Sequence, residues 1–111
     1  MIQTFSTTEV ATPGKWVDGK KIYKKTINFG TMPNATAKSV SLEISNLDKI
    51  VYSNSFCVYP NGVSFPIPFY NVDIPQFSVS LNFTSTDVVV TTGSDRSSAN
   101  GFVTIYYTKT T

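Results

Sequence analysis

The groups in this chain that could do covalent chemistry are few. Its 111 residues include no histidine and a single cysteine, Cys57, so one copy cannot assemble a Ser-His or Cys-His nucleophile. One thiol cannot build a four-ligand zinc cage or close an intrachain disulfide, and Cys57 reads as a small core residue. Carboxylates remain: Glu9, Asp18, Glu43, Asp48, Asp73, Asp87 and Asp95 contain enough groups for the acid and nucleophile pair of a glycosidase. Asp18, Asp48, Asp87 and Asp95, however, fall at expected turns, where Asp accepts local backbone hydrogen bonds. No Asp-x-Asp-x-Asp loop favours calcium. The chain is therefore expected to be non-enzymatic, with no catalytic residue, metal or cofactor. Binding chemistry is better supplied. Tyr59, Phe69 and Tyr70 cluster in a proline-rich stretch and Trp16 lies beside a tight turn, and such rings can stack on the CH-rich face of a sugar. Ordinary core or interface packing is the competing reading of the same residues.

Presenting such groups requires a scaffold, and the composition says which kind. Val, Ile and Thr supply 35 residues, against 11 from Ala, Leu, Glu and Gln together, an imbalance that suits pleated sheets and excludes a helical bundle. A chain of this length supports one core, since domains commonly need about 100 to 150 residues. The net charge of +2 is far from the basic stripe a phosphate backbone demands, so no nucleic-acid partner is expected. No apolar run reaches the length of a membrane-spanning helix, and the first residues lack a secretory signal pattern, so no membrane insertion is expected. The charged fraction of 14% is low for a soluble monomer and points to surface hidden in an assembly.

Along the chain, residues 1–14 read as an extended N-terminal arm ending at Pro13-Gly14, and 15–111 as a single β-sandwich domain. Asp18-Gly19 supplies the positive φ of a tight reversal between Trp16 and Lys20. A long strand follows over Ile22 to Phe29, with Tyr23, Ile27 and Phe29 on one face. The Lys20, Lys21, Lys24, Lys25 cluster reads as a solvated edge that deters stray pairing. Val40, Leu42 and Ile44 alternate with polar residues as a strand, and Asn46-Leu47-Asp48 turns the chain. Ile50, Tyr52, Phe56 and Val58 share a face, with a bulge expected near Asn54. Pro66 and Pro68 place Val63 to Tyr70 on an edge or in a crossover. Phe77, Val79, Leu81 and Phe83 make the clearest amphipathic strand, pairing through a turn at residues 84–87 with Val88 to Thr91. In the last strand Val103, Ile105 and Tyr107 face one way and Phe102 and Tyr106 the other, which predicts cover on both faces. Short strands with turns every eight to twelve residues predict an all-β fold: an antiparallel β-sandwich, jelly-roll-like or a small barrel.

Two stretches carry a resemblance. Lys15-Trp16-Val17-Asp18-Gly19-Lys20-Lys21-Ile22-Tyr23-Lys24-Lys25-Thr26-Ile27 is similar to the opening of small β-domains in structural proteins of tailed phages, tail fibres and head fibres among them. Gly101-Phe102-Val103-Thr104-Ile105-Tyr106-Tyr107-Thr108-Lys109 resembles their closing strand, and the Asn46 to Asp48 turn between them is also similar. The resemblance implies a non-enzymatic virion module assembled in the bacterial host cytoplasm, forming a homotrimer. It implies a receptor-binding or decorating role: adhesion to a host surface, host-cell glycan included, or attachment to other virion proteins through the N-terminal arm. Trp16, Asp18, Gly19 and Tyr23 would then be a structural hairpin motif, with Trp16 capping an open end of the sandwich. The alternative is a free-standing carbohydrate-binding module that uses Tyr59, Phe69 and Tyr70.

Overall fold

The computed structural model describes residues 7–70 and 72–110, and eight strands account for most of them. They are β1 (Val10–Lys15), β2 (Lys21–Thr31), β3 (Ala37–Ser41), β4 (Leu47–Val58), β5 (Ser64–Ile67), β6 (Val79–Phe83), β7 (Asp87–Thr92) and β8 (Asn100–Lys109), with a single 3-10 turn at Pro75–Phe77. Five strands form one antiparallel sheet in the order β1-β2-β8-β4-β5, and three form a second in the order β3-β7-β6. The two sheets enclose one core, so the fold is the expected all-β sandwich.

The core follows from the two-residue period of the strands. Ile27 and Phe29 of β2, Cys57 of β4, Ile67 of β5, Val79 of β6, Val88 and Val90 of β7, and Val103, Ile105 and Tyr107 of β8 are all buried. Each such apolar side chain contributes roughly 1.5–3 kcal/mol on leaving water. Burial also pushes the Cys57 thiol up to about 11, so the group stays protonated at neutral pH. Strand β5, with Pro66 at the sheet edge, leads into a cis Ile67-Pro68 bond. Phe69 then exchanges two backbone hydrogen bonds with Val79 (2.9 and 2.7 Å), joining the larger sheet to the smaller.

Several local expectations are corrected. The alternation through Leu42 and Ile44 does not continue β3, which stops at Ser41 because Glu43 and Asn46 adopt left-handed backbone (φ 53° and 59°) as the chain crosses between sheets. Leu47 and Asp48 already belong to β4. The register of β4 against β8 shifts twice, at Asp48 and at Val51, and not at Asn54: Ile50 is opposite Tyr107 while Tyr52 is opposite Tyr106, so Ile50 faces the core and Tyr52 faces outward. Phe77 sits in the 3-10 turn, before β6 begins. The lysine cluster is no edge, because β2 lies between β1 and β8. Lys25 instead donates to the carbonyls of Leu42 and Glu43 (2.8 and 3.1 Å), and Lys24 is buried with its ammonium 6.0 Å from the Tyr106 ring.

The boundary drawn at residues 14 and 15 falls inside β1, which pairs with β2 of its own chain; residues 1–6 of the expected arm lie outside the described residues. Strand β1 buries almost nothing and pairs irregularly between Ala11 and Lys15. Polar side chains fasten it: the Thr12 hydroxyl donates to Ile22 O (2.8 Å), and Glu9 accepts from the Tyr107 hydroxyl and from Lys109 Nζ (3.0 Å).

Candidate functional site

The three segments that carry the resemblance meet at one end of the larger sheet. At the β1–β2 turn Gly19 takes φ +86°, its amide donates to Trp16 O (2.9 Å), and Asp18 Oδ1 accepts from the Lys20 amide (3.0 Å). The turn thereby directs Lys20 Nζ at Asp48 Oδ2 (2.9 Å), which also accepts from Lys49 Nζ (2.8 Å) and from the Thr108 hydroxyl (2.9 Å). Lys49 reaches on to Asp18 Oδ2 at 3.4 Å. Hydrogen bonds from Lys49, Lys20 and Thr108 hold the Asp48 carboxyl far below the ordinary carboxylate range. A group so firmly ionised cannot serve as the protonated acid of glycoside cleavage. Its geometry suits a clamp that ties the hairpin, the start of β4 and the end of β8 together.

Trp16 is partly buried beside this turn and is not among the core-cluster residues. Tyr23, which packs against that core, is stacked on Tyr107 (centroids 6.0 Å apart), with Lys109 Nζ 5.2 Å from the Tyr23 ring and Glu9 on the Tyr107 hydroxyl. Partial burial raises the Glu9 pKa, but the bonds from Tyr107 and Lys109 outweigh it and the net shift is downward. Desolvation first, and the hydrogen bond to Glu9 second, push the Tyr107 phenol up.

The three loop aromatics have different fates. Tyr59 is half-buried, accepts from Arg96 Nη1 (3.0 Å) and meets Phe65 at 6.1 Å. Phe69 also packs on Phe65 (5.2 Å) and against the core. Arg96 lies over the rings of Phe65 and Phe77 (5.1 and 5.8 Å), fastening this corner from the β7–β8 loop. Only Tyr70 is well exposed, at 68%. Phe69 and Tyr70 do line one open groove of about 560 Å³ with Pro68, Pro75 and Leu81; Tyr59 is not part of it.

A second set of aromatics stands on the outer face of the larger sheet. Phe56 and Phe102, opposite one another on β4 and β8, stack at 5.4 Å; Tyr52 and Tyr106, further along the same strands, also meet at 5.4 Å. Between the pairs lie Thr26, Asn54 and Thr104, with the two threonine hydroxyls bonded at 2.9 Å. Thr26, Asn54, Phe56, Phe102 and Thr104 line a recess of about 320 Å³. No sheet covers this face among the described residues, although Lys24 and Thr104 on it are buried. The signal in the sequence was the alternation of β8 itself, whose outward row is aromatic and threonine while its inward row is Val, Ile and Tyr.

No protein-family model matches the chain, and no curated protein and no solved structure matches it.

Proposed function

We propose that this chain is a non-enzymatic structural module of a bacteriophage particle, assembled in the bacterial host cytoplasm as a homotrimer. It serves adhesion to the host surface or attachment to the particle. The observation that carries the reading is the convergence of the three phage-like segments: opening hairpin, Asn46 to Asp48 segment and closing strand are joined through Asp48 into one clamp. Side chains spaced so far apart in sequence serve a single structural purpose, which supports taking them as one motif. The open aromatic face of the larger sheet gives the module a surface to present. Three copies on one axis would multiply a weak contact through effective concentration. The test is immunogold imaging of purified particles together with light scattering of the purified chain. Labelled particles and a trimeric mass support the reading; unlabelled particles overturn it.

A second reading, a free-standing carbohydrate-binding module, draws on the groove shared by Phe69 and Tyr70. Under it, Tyr70→Ala abolishes glycan binding with the melting temperature unchanged. Retained binding in that variant counts against the groove.

A further inference from the structure

We infer that the outer face of the five-stranded sheet is a binding site for an uncharged oligosaccharide, seated across β2, β8 and β4 between the Tyr52–Tyr106 and Phe56–Phe102 pairs. The inference deepens the adhesion reading and rests on it for its biological meaning, though not for its chemistry.

The layout is the reverse of a protein interface. Stable protein contacts have an apolar centre and a polar rim. Here the centre is polar, made of Thr26, Asn54 and Thr104, and the rings stand at the two ends. The area argues the same way. Tyr52 is 59% and Phe56 44% exposed; at about 150–250 Å² per aromatic side chain the two offer on the order of 200 Å². A stable protein interface covers roughly 800 Å² on each side, a little over half of it apolar, so these rings would supply only part of one. Ring surface on this scale suits a small ligand.

The chemistry of the floor selects the ligand class. The five residues lining the recess carry no charge to pair with a phosphate, sulfate or carboxylate; Lys24, in the same row of β2, holds its ammonium 6.0 Å from the Tyr106 ring, at the end of the site and outside the recess. One threonine hydroxyl donates to the other, which leaves the accepting hydroxyl's own proton and several lone pairs to satisfy. Beside them the exposed Asn54 carboxamide offers both donors and an acceptor. Neutral donors and acceptors between aromatic planes match a polyhydroxylated ring, whose hydroxyls lie at its edge and whose CH groups form its faces. Tyr52 and Phe56 are four residues apart on one strand, about 13 Å at the usual rise. That span is a short oligosaccharide and not a single sugar. A strand pair held on both sides keeps the rings in place before binding, which lowers the ordering cost.

The experiment screens the purified chain by saturation-transfer NMR and calorimetry against maltohexaose, cellohexaose, mannohexaose and dextran, with a sulfated and a sialylated oligosaccharide alongside. The inference expects binding to a neutral member. Tyr52→Ala and Phe56→Ala should each weaken it about tenfold, the scale of a lost ring contact, with an unchanged melting temperature. Asn54→Ala, which cannot disturb the core, should weaken it as well. Binding confined to the acidic members, binding lost in Tyr70→Ala but kept in Tyr52→Ala, or no binding to any of these sugars would overturn it. Failure here is separable from failure of the virion reading. Particles that carry the chain while it ignores every sugar defeat only the glycan site, and sugar binding by a chain missing from particles defeats only the virion assignment.

Discussion

The two sides of β8 make an instructive comparison. Facing inward, Val103, Ile105 and Tyr107 are fully buried against the smaller sheet. Facing outward, Phe102 and Tyr106 are half-buried against ring partners in their own sheet and Thr104 is buried between them, while the rings opposite them on β4 stay open to solvent. Both rows are rich in large side chains, yet one is spent on holding the fold and the other is left available. Hydrophobicity alone therefore does not separate core from contact surface on a central strand. The opposing layer does, and among the described residues only one side has such a layer.

The comparison can be broken by substitution. Ile105→Ala, on the inner side, should cost about 2–5 kcal/mol in chemical denaturation, whereas an equal loss from Phe102→Ala would mean that the outer face is covered after all. Gly101→Ala is the next largest. A methyl group there would lie 2.8 Å from Met32 Sδ and 3.4 Å from Phe29 Cβ, and overpacking of this kind should destabilise by about 1–3 kcal/mol. Glu9→Ala strands the buried Tyr107 hydroxyl and should cost roughly 1–2 kcal/mol. Amide exchange should accelerate in β1 well before β8 is affected, and uniform acceleration would refute the polar fastening of β1.

Smaller effects appear with pH and at the surface. Asp48, Asp18 and Glu9 are all held below their ordinary pKa values in the fold. The stability they confer is present at neutral pH and fades as acid is added, beginning near their unfolded values around pH 4 and continuing downward. Asp48→Asn should flatten that part of the urea-midpoint profile, and an unchanged slope would remove the clamp from the account. Least of all, Tyr52→Ala should shift stability by no more than about 0.5 kcal/mol, as for an ordinary surface change.

Much of this architecture was legible before any coordinates. The alternation of Val79, Leu81 and Phe83 gave β6, Asp18-Gly19 gave the first hairpin, and Pro66 with Pro68 marked the edge and the crossing between sheets. Strand β1 was not legible. Its residues bury no alternating row, so the pattern reads as loop, and what fixes it is the adjoining Glu9 carboxylate, which accepts from Tyr107 and Lys109 almost a hundred positions away. The end of β3 was missed because a left-handed Glu43 interrupts an apolar alternation that otherwise continues to Ile44. The lysines of β2 looked like a wet edge only while β1 was taken for an arm. For the site, proline-rich context drew attention to Tyr59 and Phe69, yet Arg96 and Phe65 fold those rings into the corner. For Tyr52, Phe56, Phe102 and Tyr106 the strand alternation marks a second row but not that the row is left open. Their standing depends on where the second sheet lies, which is a property of the whole chain.

The position of β8 in the middle of the larger sheet has a consequence for biogenesis. Both of its neighbours, β2 and β4, come much earlier in the sequence, so any fragment stopping short of residue 100 presents two raw strand borders with nothing between them. Zipping up that gap waits until β8 has left the ribosome, and translation products interrupted before it would be sticky rather than partly functional.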